Sequence, residues 1–384
     1  MNEMYDVVVV GLGPAGSVLS KILAENGLKV LALERKVHPR VKPCAGCISQ
    51  RIDQIFDLSA LDVVEGSIYG ATLSYLGKEP VTQYSTKTLA YMVRRERFDQ
   101  KLMQEAESAG AEIVQNVPVK RVTRDNGLIE VHSAAGTVRA PMVAGADGSL
   151  SVVRRCLMPN NEWWQYATLE RRIDNGDVAL SIRDRVHIDL GWVTFGYGWI
   201  FPHANAVSAG LAVLLEKKRT LRKCFSAFLR TMGLESTASQ SNEKTLAHPI
   251  VSFARSRPTV AVPGAILLGD AAGLTDPLTG EGIYFAVYSA QLAATAILDV
   301  FRGKPDALSQ YERRMDEEFY SEFRQAAWAT RWIYRFPKYF VHKVRRNPEI
   351  MDVFFRILRG EESYRRVSSE LKRHFLRRIW FWRR

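Results

Sequence analysis

Cysteine is scarce in this chain: only Cys44, Cys47, Cys156 and Cys224 stand among 384 residues. So few cannot staple a chain of this length, so stability has to come from a buried core, and a reducing cytosol suits such usage. Cys44 and Cys47 form a C-x-x-C, but no second pair and no paired histidines complete it, so no metal site is expected. Long apolar runs are lacking as well. The nearest, residues 283–300, is interrupted by Ser289, Gln291 and Asp299 and reads as a buried helix rather than a membrane span. The opening MNEMYDVVVV has no basic segment ahead of its apolar run, so a signal peptide is not expected. Net charge is nearly absent from most of the chain: of the overall +12, residues 331–384 carry +11, from 16 Lys+Arg against 5 Asp+Glu. What is present is globular in balance, 47% hydrophobic and 24% charged, and the length suits two domains with a terminal extension.

The stretch that organises the chain is 5–34. Val7–Val10 is an apolar run without helical period, as a strand buried on both faces reads. Gly11, Gly13 and Gly16 follow at G-x-G-x-x-G spacing, with Pro14 and Ala15 between, and open a helix whose Val18, Leu19, Ile22 and Leu23 share a face. A second apolar strand ends on Glu34. The chemistry needs that order: the first glycine makes the tight turn, the second lets backbone approach a pyrophosphate, the third lets helix pack on strand, and the acid meets a ribose hydroxyl. An acid at Glu34 favours an unphosphorylated adenosine ribose, as in FAD or NAD.

Further along, residues 40–47 form a turn-rich loop with the basic Arg40 and Lys42 and with Cys44, Ala45 and Cys47, which reads either as a redox dithiol or as packing thiols. Arg95 opens a helix through Phe98, Leu102, Met103 and Ala106, and Gly110 stops it. The strands from 111 to 131 read as one meander. Residues 143–149 are a buried strand ending on Asp147 and Gly148, and residues 265–273 another, ending on Gly269 and Asp270. Gly280, Gly282 and Ile283 then start a long helix, so three strand-end loops are expected to meet at one crevice. Residues 160–258 read as mostly β, with strands at 177–184, 186–190, 191–202 and 208–215. In the third, Tyr197, Trp199 and Phe201 alternate with small residues ahead of Pro202, either a sheet face shaped around an apolar ligand or core packing.

With these residues in view, the chain resembles the FAD-dependent geranylgeranyl reductase family, within the wider p-hydroxybenzoate-hydroxylase-like flavoproteins. Gly11, Gly13, Gly16 and Glu34 match its ADP-binding fingerprint, Arg95 its R-x-x-F-D helix, Asp147-Gly148 its D-G motif and Gly269-Asp270 its G-D motif. Tyr197-x-Trp199-x-Phe201-Pro202 looks like its Y-x-W-x-F-P signature, with Thr194 where proline and His203 where lysine is usual. Lys42-Pro43-Cys44-Ala45-Gly46 resembles its K-x-C-G-G loop, with Ala45 for the first glycine.

The resemblance implies an α/β fold, with a Rossmann-like FAD-binding domain, a β-sheet substrate domain and C-terminal helices. The FAD domain is expected over 1–158 and 259–300, with a substrate-domain excursion near 69–93; the substrate domain is expected over 159–258 and the extension over 301–384. FAD is implied as cofactor, held by the fingerprint residues with Arg35, Cys44, Ala45, Arg95, the D-G and G-D pairs, Gly280, Gly282 and Ile283. A prenyl lipid or prenyl quinone is implied as substrate, against Tyr197, Trp199, Phe201 and Pro202, with Cys44 as a proton donor or gate and catalysis drawn from Cys44, Tyr197 and Trp199. The family's reaction is hydride delivery from reduced flavin to an alkene carbon. No second glycine fingerprint is present, so the electron donor is NAD(P)H bound transiently or a reduced protein carrier.

Two other classes share parts of the pattern. One is a flavin monooxygenase or halogenase acting on an aromatic substrate; the other, a nucleic-acid-binding flavoprotein, draws only on the basic and aromatic tail, and no nucleic acid is expected. For the tail, the 16 cations and 12 aromatics of residues 331–384, among them Trp332, Phe340, Trp380, Phe381 and Trp382, suit an anionic membrane surface. That would make the protein cytoplasmic and peripherally bound to the inner face of the membrane, with residues 373–384 as anchor. A solvated helical cap packed on the flavin domain is the alternative.

Overall fold

The computed structural model describes residues 4–174, 176–235, 244–253 and 256–368. Residues 373–384, with Trp380, Phe381 and Trp382, lie outside the described residues. The mixed α/β fold is built on two large sheets.

In the first, Val7–Val10 lies between Met142–Gly145 and Val30–Glu34, all parallel, with Glu112–Gln115 and Ala265–Leu267 outside them and the short Ala261–Val262 antiparallel at one edge. The central strand has every residue buried, which is why its sequence is an unbroken valine run. On one face lie the helices Pro14–Glu25, Arg95–Ser108 and Ile283–Phe301. The first has proline at its opening turn and Gly27 at φ +82 just past its end, as helix boundaries prefer. Ile283–Phe301 passes by length and composition as a membrane span, but Phe285, Val287, Leu292, Ala293 and Ile297 are buried in this core.

The second sheet has seven strands in the order Leu246–Phe253, Trp163–Asp174, Ala206–Leu214, Gly196–Pro202, Arg185–Leu190, Gly70–Tyr75, Lys78–Tyr84. Its central strand explains the aromatic alternation. Gly196 and Gly198 face the helix Leu221–Thr231, where a Cβ on Gly198 would stand 3.0 Å from the Phe228 ring, while Tyr197, Trp199 and Phe201 face the opposite side.

Two expectations need correction. Residues 177–184 are not a strand: Gly176–Ser181 is a helix that buries Ala179, with Val178 and Ile182, against this sheet. That spacing of one and four is helical, and it outweighs the short alternation. The 111–131 stretch is split: Glu112–Gln115 joins the parallel sheet, and Val119–Asp125 pairs instead with Leu128–Ser133 and Gly136–Ala140. Trp163–Asp174, at 12 residues the longest strand among the described residues, and Leu246–Phe253 lie in the 160–258 stretch that reads as mostly β, but the sequence did not delimit them.

Beyond residue 301 the chain is helical through Ala307–Met315, Ser321–Arg335, Pro337–Arg346 and Glu349–Leu358. The last two helices pack on the Gly70–Tyr75 hairpin of the seven-stranded sheet, burying Val344, Met351 and Phe355 with Leu89, and their Val341 and Ile357 also cluster with Leu278. Tyrosines hold the 269–282 segment from outside: Tyr320 donates to the Ala272 carbonyl at 2.7 Å, Tyr334 to Leu278 at 2.9 Å and Tyr364 to Asp276 at 2.9 Å.

Candidate functional site

One cavity of about 600 Å³ runs between the two sheets and on beneath the C-terminal helices. At its polar end the glycine loop leaves Val10. Gly11 stands at φ +95, and a Cβ there would lie 2.6 Å from the Ala146 carbonyl oxygen, so only glycine fits. Gly16 does not line the cavity; its missing Cβ lets the helix sit on the Gly11 carbonyl. Gly13, Pro14 and Ala15 line it, and Gly13, as N-cap, brings no side chain to cover the first-turn amides. Gly282 caps Ile283–Phe301 in the same bare way, and it, Ile283 and Gly280 line the same cavity. Two helix N-termini thus offer amides and positive dipole ends to one ligand.

Glu34 is 4% exposed; its Oε2 accepts from the Leu12 amide at 2.8 Å and its Oε1 from Lys36 at 3.1 Å. Each oxygen has a second lone pair, so the carboxylate still has capacity for a ribose hydroxyl. Arg35 lines the cavity from an exposed position. Arg40, which the spacing did not single out, stands 3.7 Å from Glu34 and 3.2 Å from Asp99. Asp99 in turn holds Arg95 in a two-pronged pair at 2.9 and 2.8 Å, and Arg95 reaches the Cys44 sulfur. Asp147 and Gly148 line the cavity too, and Asp147 caps the Val152–Leu157 helix, accepting from the Val152 amide at 2.6 Å. Asp270 lines it; Gly269, at φ +57, lies behind. Arg154 ties these loops together, donating to the Ala271 carbonyl at 2.8 Å and the Ser149 carbonyl at 2.5 Å.

In the middle of the cavity Cys44 and Ala45 face Tyr197 and Trp199. Tyr197 donates to the Thr279 carbonyl at 2.7 Å and its ring stacks on Tyr334 at 6.3 Å. Trp199 lies over Gly210, where a Cβ would come within 2.1 Å of the indole. Its Nε1 donates to Ser208 Oγ at 3.1 Å, and Ser208 donates to Glu170 at 2.7 Å. Glu170 lines the cavity, and burial raises its pKa, although Ser208 and the Cys44 amide bond it. Sequence reasoning missed it. The available signal was an acid on the same strand phase as the buried Tyr166 and Thr168.

The two cysteines differ. Cys47 is on a strand, packed by Ile68, Ala90 and Met92, and burial pushes its thiol up. Cys44 is on the loop, and His203, bonded to Glu65 at 2.8 Å, reaches the Ala45 carbonyl at 3.1 Å and holds that loop in place. Lys42 donates to His248 at 2.8 Å; burial pushes Lys42 down to about 8 and His248 to about 4. Phe201 lines the cavity; Pro202 ends its strand buried and away from it.

Beyond Trp199 the walls are apolar: Leu73, Leu89 and Ile188 from the sheet side, Phe340, Met351 and Phe355 from the helices.

Residues 4–163 match the FAD binding domain family. The chain is 30% identical over 346 residues to a chloroplastic geranylgeranyl diphosphate reductase of Oryza sativa subsp. japonica, covering 84% of this chain and 72% of that one. It is 29% identical to a digeranylgeranylglycerophospholipid reductase of Thermoplasma acidophilum, covering 83% and 84%. Among solved structures, a geranylgeranyl bacteriochlorophyll reductase-like protein from Thermoplasma acidophilum superposes with a TM-score of 0.73 at 25% identity over 86% of this chain and 88% of that one. A flavin-dependent brominase shares the fold at 21% identity, with a TM-score of 0.71 over 97% and 100%. The cofactor is FAD: the glycine loop, Glu34, the Arg154-tied loops and the two bare helix N-termini fit its ribose and pyrophosphate.

Proposed function

This chain belongs to the geranylgeranyl reductase family of FAD-dependent oxidoreductases, and we propose that it reduces carbon–carbon double bonds of a geranylgeranyl or related prenyl lipid or quinone. The observation that carries the reading is the continuity of one cavity, polar and lined by bare helix N-termini at one end and walled by apolar side chains at the other. Bound reduced FAD supplies the hydride. The chain's own residues do the rest. Tyr197, locked by Thr279 and Tyr334, and Trp199, locked by Ser208, fix the prenyl chain across the middle of the cavity. The apolar wall excludes water from the reacting carbons. Protonation of the second alkene carbon comes from the side where the Cys44 thiol and the Glu170 carboxyl open on the cavity. The electrons reach the cofactor from NAD(P)H or from a reduced protein carrier.

The test is mass spectrometry of prenyl lipids after anaerobic incubation with photoreduced protein. Gain of two hydrogens per reduced bond is expected. Failure with every prenyl substrate, together with oxygen consumption on an aromatic one, would transfer the reading to the monooxygenase or halogenase chemistry that shares this fold.

A further inference from the structure

The Ser321–Arg335 and Pro337–Arg346 helices present two different faces. Inward, Ile333, Tyr334, Phe340 and Val344 line the cavity. Outward, Trp328, Trp332, Phe336 and Tyr339 are 47%, 56%, 47% and 61% exposed. The first three recur every fourth residue, which puts them on one ridge. Their ring centroids are 6.3 Å and 5.7 Å apart, so they form a continuous stripe rather than scattered apolar residues. Between Trp328 and Arg346 the sequence holds six Lys/Arg and no Asp/Glu. Arg331 lies 5.3 Å over the Trp164 ring and Lys343 5.3 Å over Tyr339, while Arg345 pairs with Glu79 at 3.0 Å. Arg335, Lys338 and Arg346 are exposed beside the stripe.

We propose that this stripe is the surface on which the enzyme lies against an anionic lipid bilayer, its rings at headgroup depth and the flanking cations over lipid phosphates. It rests on the reading of a prenyl lipid as substrate. Charge selects the occupant. Two copies of this face would oppose the exposed Arg335, Lys338 and Arg346 of one to those of the other. Residues 369–384 of the same chain carry six Lys/Arg and one acid, and are repelled likewise. An anionic bilayer complements both the rings and the charge. Docked so, the apolar cavity is separated from lipid by a single helix layer, about 10 Å thick.

The holoenzyme is floated with phosphatidylcholine vesicles with and without phosphatidylglycerol, as wild type and as W332S/F336S, R335E/K338E and Trp332→Phe variants. Binding is expected only with phosphatidylglycerol. It is lost in W332S/F336S and falls about fivefold or more for each charge removed in R335E/K338E. Trp332→Phe keeps binding but loses the share of bromine-lipid quenching that Trp332 contributes, with Trp328 keeping the remainder. Wild-type binding and unchanged quenching in these variants would overturn the proposal. So would binding abolished only by deleting residues 369–384, or a stripe variant that alters self-association instead. Flavin content and reduction of detergent-dispersed geranylgeranyl diphosphate stay at wild-type level in the stripe variants. If the wild type binds vesicles through the stripe yet reduces no prenyl substrate, the catalytic reading fails and the surface stands.

Discussion

Burial raises Glu170 above the ordinary carboxyl range, and this has two measurable consequences. A group whose folded pKa is raised contributes stability that is complete below its unfolded value, about 4.3, and is lost as pH rises through the folded value. Glu170→Gln removes that dependence, so its melting temperature should decline less than wild type's on the alkaline side; parallel curves would refute the assignment. Turnover should fall about 10²-fold, the span of a lost general acid, and its alkaline limb should flatten. Cys44→Ser should also slow turnover, and Cys47→Ser less, because Cys47, though it too lines the cavity, is held on a strand against Ile68, Ala90 and Met92 with its thiol pushed up by burial. Equal losses at the two cysteines would point to a working dithiol. Tyr197→Ala and Trp199→Ala should each cost roughly 10- to 200-fold in kcat/KM with flavin retained, which absorbance after gel filtration checks. Gly11, Glu34 and Asp270 were legible in the sequence because turn chemistry fixes them at short range. Glu170, His248 and Arg40 were not, since each acquires its role only when a distant segment is laid beside it.

At the scale of elements, the far end of the cavity is made by side chains from the sheet and from the Glu349–Leu358 helix, meeting at Leu89, Met351 and Phe355. Leu89→Trp should shorten the space, so that geranylgeranyl diphosphate turns over more slowly while geranyl diphosphate is little affected, at about 1–3 kcal/mol of overpacking. Phe355→Ala should reverse that preference and cost about 3–5 kcal/mol in urea unfolding. A uniform loss over all chain lengths would show that neither residue meets the substrate. The parallel strands were readable because burial on both faces leaves an unbroken apolar run. Trp163–Asp174 was not, because its two faces meet different environments: Leu169 and Ile173 meet the Leu221–Thr231 helix, while Thr168 and Glu170 meet the cavity, and polar residues blur the period. Residues 177–184 misled because eight residues, of which the helix Gly176–Ser181 takes only part, are too few to separate a helical period from alternation.

Across the whole molecule, the FAD site draws on residues 10–49, 146–152 and 270–286, so cofactor binding links parts that are far apart in sequence. Stripping FAD should therefore lower the stability of the entire chain in one step, by about 2.7 kcal/mol relative to FAD at a hundredfold its Kd. Two separate melting transitions in the holoprotein would contradict this. The same layout governs the order in which the molecule can be completed. The Gly70–Tyr75 hairpin leaves the ribosome early, yet its parallel neighbour Arg185–Leu190 comes more than a hundred residues later, and the helices that cover it later still. Until Glu349–Leu358 arrives, one apolar wall of the cavity faces water, and non-local closure of this kind is slow and exposes a nascent chain to association. Stalled chains ending before residue 337 should be the aggregation-prone ones, so that the protein becomes safe to release only once Glu349–Leu358 has been made.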